Sequence, residues 1–177
     1  MDDRHDSLAA RVFGLCLLRT APQDLPHAPG LLAAFVVAGI VLAGVAGAML
    51  GDVAGALAQS LLAAAVVLGL CWAALALRRL RNRYVQTATA LFACDVAFTC
   101  VQIPLLLLAS PPPATPAELT GVQVLVGWLV IALFAWQLGV NAHIMRHALD
   151  ASFGFALVLV ATWAVAGWSL SRLLLGG

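Results

Sequence analysis

The chain has no lysine, and charged residues make up only 10% of its 177 residues. A water-soluble domain of this size carries roughly a quarter charged residues to cover its surface. That class is therefore excluded. The formal net charge is +1, so bulk charge offers nothing to nucleic acid. The four cysteines, Cys16, Cys71, Cys94 and Cys100, form no CxxC pair, and all sit in apolar runs. This rules out a loop-borne disulfide framework and reads as small buried hydrophobes. A glycine-rich phosphate loop, a nucleophile elbow and a catalytic triad are also missing. Ser60, Ser110, Ser152, Ser169 and Ser171 have no histidine at a suggestive spacing. The expectation is a non-enzymatic protein without a cofactor.

What is present is apolar: 63% of residues are hydrophobic, and the mean hydropathy is +1.03. The natural solvent for such a chain is lipid. Every basic residue is arginine, and alanine, leucine, valine and glycine are in excess; this composition points to a GC-rich bacterial genome. The apolar runs predict an all-α fold, an integral membrane bundle of five transmembrane helices preceded by a short interfacial amphipathic helix. Residues 1–29 hold that helix and a proline-rich linker. Residues 30–177 hold the spans, at about 31–50, 57–77, 84–109, 122–145 and 153–174. The start, Met1 to Asp6, is acidic, unlike the basic region of a signal peptide. The first run is expected to remain as an anchor.

Residues 5–19 read as the short helix, capped by Asp6 or Ser7. Arg4, Arg11 and Arg19 share one side of it, and Val12, Phe13, Cys16 and Leu17 lie elsewhere. An arginine stripe on an apolar helix suits the membrane interface; packing against the spans is the rival placement. Arg78, Arg79, Arg81 and Arg83 form the densest charge cluster, between the second and third spans. With Arg146 before the fifth span, eight arginines fall on one side of a five-span chain, against Arg172 alone on the other. The positive-inside rule makes the eight-arginine side cytoplasmic. The N-terminus is then cytoplasmic and the C-terminus periplasmic, in a bacterial inner membrane. Arg11, Arg19, Arg78, Arg79, Arg81 and Arg83 are expected to face anionic lipid or a protein partner.

Gly39, Ala43, Gly47 and Gly51 recur every four residues through the first span. Such ladders let helix backbones approach closely where lipid supplies no hydrophobic drive. They point to tight packing within the bundle, with a ligand groove as the rival reading; a homo-oligomer is a separate expectation for partners. The loop Ser110 to Glu118 is proline-rich, and Thr115, Pro116 and Glu118 suit the start of the fourth span.

The third span is the most polar. Asp95 lies about eleven residues, or ~16 Å, along it. A charge at that depth costs at least about 2.5–3.5 kcal/mol, so Asp95 faces the bundle or is protonated. Thr99 and Gln102 share its face, and Gln137 on the fourth span comes in at similar depth. This set is either a proton or cation site or a buried polar contact that fixes helix register. His143 and His147, spaced four apart with Asp150 beyond, are a candidate metal pair. They lie at the membrane boundary, where histidine is ordinary.

Tyr84-Val-Gln-Thr-Ala-Thr-Ala-Leu-Phe leading to Ile103-Pro104, and Trp128 through Asn141 with His143 and the short loop to Phe153, resemble the third and fourth spans of the Yip family. These are the Ypt/Rab-interacting five-span membrane proteins. The resemblance covers roughly the last hundred residues. It implies five spans, a cytoplasmic N-terminus and no catalysis; no catalytic residue transfers. The leading expectation is an organising or partner-binding membrane subunit of Yip-like architecture. The alternative is a small proton-coupled transporter or channel centred on Asp95.

Overall fold

A computed structural model describes residues 7–109 and 119–175. Arg4 and the Asp6 cap lie outside the described residues, as do the proline-rich loop with Thr115, Pro116 and Glu118, and Gly176–Gly177. The described chain is all helical: α1 (Leu8–Cys16), α2 (Pro29–Leu50), α3 (Val53–Leu77), α4 (Tyr84–Ala109), α5 (Gly121–Leu149) and α6 (Phe153–Leu175). Two short 3-10 turns, Pro22–Asp24 and Arg81–Arg83, join them. Helices α2 to α6 are each long and apolar enough to cross a membrane.

Local chemistry sets the helix ends. Ser7 accepts from the Ala10 amide at the start of α1, and Asp52 accepts from Gly55 at the start of α3. Thr120 and Gln123 cap α5 reciprocally, the capping-box arrangement. Four helices end with a residue in the left-handed region: Leu18, Gly51, Arg79 and Asp150, with φ of 59°, 78°, 60° and 50°. In each case the following amide bonds back to the carbonyl five residues earlier, which closes the helix by the Schellman pattern. Only Gly51 adopts this conformation without a Cβ penalty.

Three boundaries differ from the sequence expectation. Helix α3 begins at Val53 rather than 57, because Asp52 caps it. Helix α5 runs to Leu149 rather than 145, so Arg146 and His147 are helical, and Asp150 makes the turn. Helix α1 spans 8–16 rather than 5–19, because Leu18 turns the chain. Helix α4 continues through Pro104 to Ala109.

The five long helices close a ring in the order α2, α3, α6, α5, α4 and back to α2, with α3 also touching α4 across it. The ladder on α2 serves two neighbours. A Cβ on Gly47 would meet Ala56 Cβ at 2.5 Å and the Asp52 carbonyl at 2.7 Å, so α2 and α3 meet there only because the side chain is absent. Gly39 instead faces α4, with Asp95 Oδ2 3.8 Å from where its Cβ would stand. A Cβ on Gly51 would meet nothing within 4 Å among the described residues; its role is the helix end rather than helix contact. The outward faces of α5 and α6 stay apolar and open, with Trp128 69% and Val158 68% exposed, as lipid-facing surfaces require.

Helix α1 packs on α4 and α5 outside the ring. Leu15 is fully buried there, as is Leu25 in the linker, while Phe13 and Leu17 remain exposed. The Trp136 indole donates to the Cys16 carbonyl at 2.9 Å, and its neighbour Gln137 donates to Asp95 at 2.9 Å. The end of α1 is therefore level with Asp95. The linker then climbs back along the bundle: His143 meets the Thr20 carbonyl, and Gln86 reaches the Gln23 and Leu25 carbonyls.

Candidate functional site

Inside the ring lies a partly enclosed cavity of about 390 Å³ lined by all five long helices. Its polar wall is assembled from single residues. Gln59 and Ser60 come from α3, Asp95 from α4, Gln137 and Asn141 from α5, and Ser171 from α6. Phe134, Trp163 and Trp168 supply aromatic surface. Among the described lining residues, Asp95 is the one ionisable group. It is half-buried, and its Oδ1 accepts from Gln137 Nε2 at 2.9 Å. Its Oδ2 lies toward Gly39.

An open cleft of about 700 Å³ shares Gly39, Gln59, Ser60, Asp95, Trp168 and Ser171 with the cavity. It continues to Asp52 and Arg172 at the turn between α2 and α3 and the end of α6. The Arg172 guanidinium lies 5.5 Å from the Trp168 ring centre. Thr99 lines the cleft. Gln102, a turn beyond, lines neither space among the described residues. The structure thus gathers Asp95, Thr99 and Gln137 and leaves Gln102 aside. It adds Gln59, Ser60, Asn141 and Ser171. Gln59 and Ser60 are isolated polar residues in an apolar run, and that was the available signal.

The arginines of the sequence cluster divide into two groups. Arg83 donates to the His147 and Ala148 carbonyls at 3.3 Å and pairs with Asp150 at 2.8 Å. Arg78 donates to the Leu149 carbonyl at 3.2 Å. Both cover the last carbonyls of α5, where a cation also suits the helix dipole. Arg11 donates to the Asp24 carbonyl at 2.6 Å. These three are engaged by their own chain rather than turned wholly to lipid or a partner: Arg78 and Arg83 by the end of α5, and Arg11 by the linker. Arg81 stacks over Trp72 at 5.4 Å. Arg19 and Arg79 are exposed, and among the described residues their side chains make no hydrogen bond, ion pair or ring contact.

The His143 and His147 rings meet edge-on, with centroids 4.6 Å apart. His143 Nε2 is 3.0 Å from the Thr20 carbonyl, so it ties the linker to α5. Among the described residues no third histidine, cysteine or carboxylate joins them as a metal set.

Comparison with known protein families, with characterised proteins and with solved structures finds no match to this chain. Functional argument therefore rests on the site itself.

Proposed function

We propose that this chain is a small proton-coupled carrier or channel of a bacterial inner membrane, with Asp95 as its binding group. The observation that supports it is the cavity: five helices each lend residues to a space whose one ionisable wall group, among the described residues, is Asp95. A carboxylate at membrane depth is costly, and a purely structural one is expected in tight packing. Here it borders open volume that continues into a cleft toward the Arg172 end. Under the positive-inside rule that end is periplasmic and the N-terminus cytoplasmic.

The test is proton flux into liposomes holding the purified protein, followed with an enclosed pH-sensitive dye. A pH gradient should dissipate faster than in empty liposomes, and Asp95→Asn should return the rate to that of empty liposomes. Wild-type protein that moves no protons sinks the proposal, as does Asp95→Asn at the wild-type rate.

A second reading is a non-enzymatic organising or partner-binding subunit of Yip-like architecture. The exposed Arg19 and Arg79 support it, as groups that face outward toward anionic lipid or a protein partner. Its test is retention on vesicle-bound or detergent-solubilised partners, with Arg19→Ala/Arg79→Ala expected to lose at least half of it. Unchanged retention in that double variant removes the support.

A further inference from the structure

A carboxylate in a cavity can serve a bare proton, a metal ion or an organic cation, and the surrounding walls discriminate among them. A hard metal ion wants about six oxygens within roughly 2.0–2.6 Å. Asp95 Oδ1 already holds the Gln137 amide. No group of three His, Cys, Asp or Glu side chains exists among the described residues to complete a metal shell. The volume of about 390 Å³ far exceeds an ion and falls in the range of small-molecule sites, roughly 300–1,000 Å³. An anion finds no cationic wall group in the enclosed part.

The acceptors favour an ammonium. Gln137 gives its Nε2 to Asp95, so its Oε1 remains an acceptor beside the carboxylate. Asn141 lines the same wall one turn further along α5, on the same helix face. Asp95, Gln137 and Asn141 can together match the three N–H donors of a primary ammonium group. Trp163 and Phe134 then offer π-faces and apolar area to the rest of the molecule. At the mouth, Trp168 already receives the Arg172 guanidinium on its ring.

We infer that the cavity binds a protonated organic amine, its ammonium held by Asp95, Gln137 and Asn141 and its apolar body laid against Trp163 and Phe134. This rests on the reading of the Asp95 cavity as the functional site.

The test uses the full chain in lipid nanodiscs, with binding read from tryptophan fluorescence and melting temperature. The probes are phenethylamine, its neutral isostere 2-phenylethanol and the anion phenylacetate, with empty nanodiscs as the blank. Phenethylamine should saturate and raise the melting temperature. 2-Phenylethanol should bind at least about tenfold more weakly, which corresponds to ~1.4 kcal/mol, and phenylacetate should give no shift. Asp95→Asn should weaken phenethylamine at least about tenfold, and Asn141→Leu several-fold, so the second variant decides if the first does not fold. Equal binding of amine and alcohol overturns the inference, as does full affinity in either variant. Proton flux without amine binding also overturns it and leaves the carrier proposal standing. Amine binding without flux upholds the amine site and removes the carrier proposal.

Discussion

The two ends of the ring use polar side chains in opposite ways. At the arginine-rich end, Arg78, Arg83, Gln86, Gln23 and His143 each contact a backbone carbonyl from another segment. They join α1, the linker, α4 and α5 into one unit. From the middle of the bundle toward its other end, Gln59, Ser60 and Asn141 line space instead, and among the described residues only Asp95 and Gln137 of this set are joined to each other by hydrogen bond. The first set spends its hydrogen-bonding capacity on assembly. The second keeps much of it available, which in a low-dielectric setting is affordable only where water or a ligand takes up the remainder. Stability and binding are thus carried by different residues at different depths, and substitutions should separate them.

The largest effect is expected at the docked helix. Leu15 is fully buried, so Leu15→Ala should cost about 2–5 kcal/mol, read as a lower melting temperature in detergent and faster proteolysis near residue 20. Affinity for a cavity ligand should stay within about twofold, since α1 lies outside the ring; a tenfold loss would break the division. Next comes a glycine pair on one helix. Gly47→Ala drives a Cβ into Ala56 and the Asp52 carbonyl and should destabilise by about 1–3 kcal/mol. Gly39→Ala meets its nearest atom, Asp95 Oδ2, at 3.8 Å and should melt as wild type. If the two variants melt alike, the ladder does not divide between packing and cavity as described. The smallest effects lie in the arginine loop. Arg83→Ala removes the donor shared by three acceptors at the end of α5 and should cost about 1–2 kcal/mol. Arg79→Gly relieves a left-handed residue and should gain up to about 1 kcal/mol. Opposite signs for these neighbours in thermal unfolding would sharpen the contrast between an arginine that holds the fold and one that does not.

Much of this architecture is legible in hydropathy, because a membrane helix must satisfy its backbone internally and so writes its length into one continuous run. The depth match of Asp95 with Gln137 follows from counting residues from each helix end. Hydropathy fails where capping or tertiary contact decides. Asp52 starts α3 four residues before the apolar window, which carries Gln59 and Ser60 a further turn from the helix end. Arg146 and His147 are too polar to look like span, yet α5 continues through them because Arg78 and Arg83 meet its last carbonyls. The sequence leaves α1 between the membrane interface and the spans for a similar reason. The bonds that seat it and its linker end on carbonyls at Cys16, Thr20, Gln23 and Leu25, and a carbonyl has no signature in sequence.

The ring order also fixes a sequence of events in time. The ring closes through the contact of α3 with α6, so a helix synthesised later completes the wall that α3 begins. Until α5 arrives, Asp95 has no Gln137 to meet, and until α6 arrives the cavity has no far side. A nascent chain ending after α4 therefore holds Asp95 without the donor that Gln137 supplies in the closed ring.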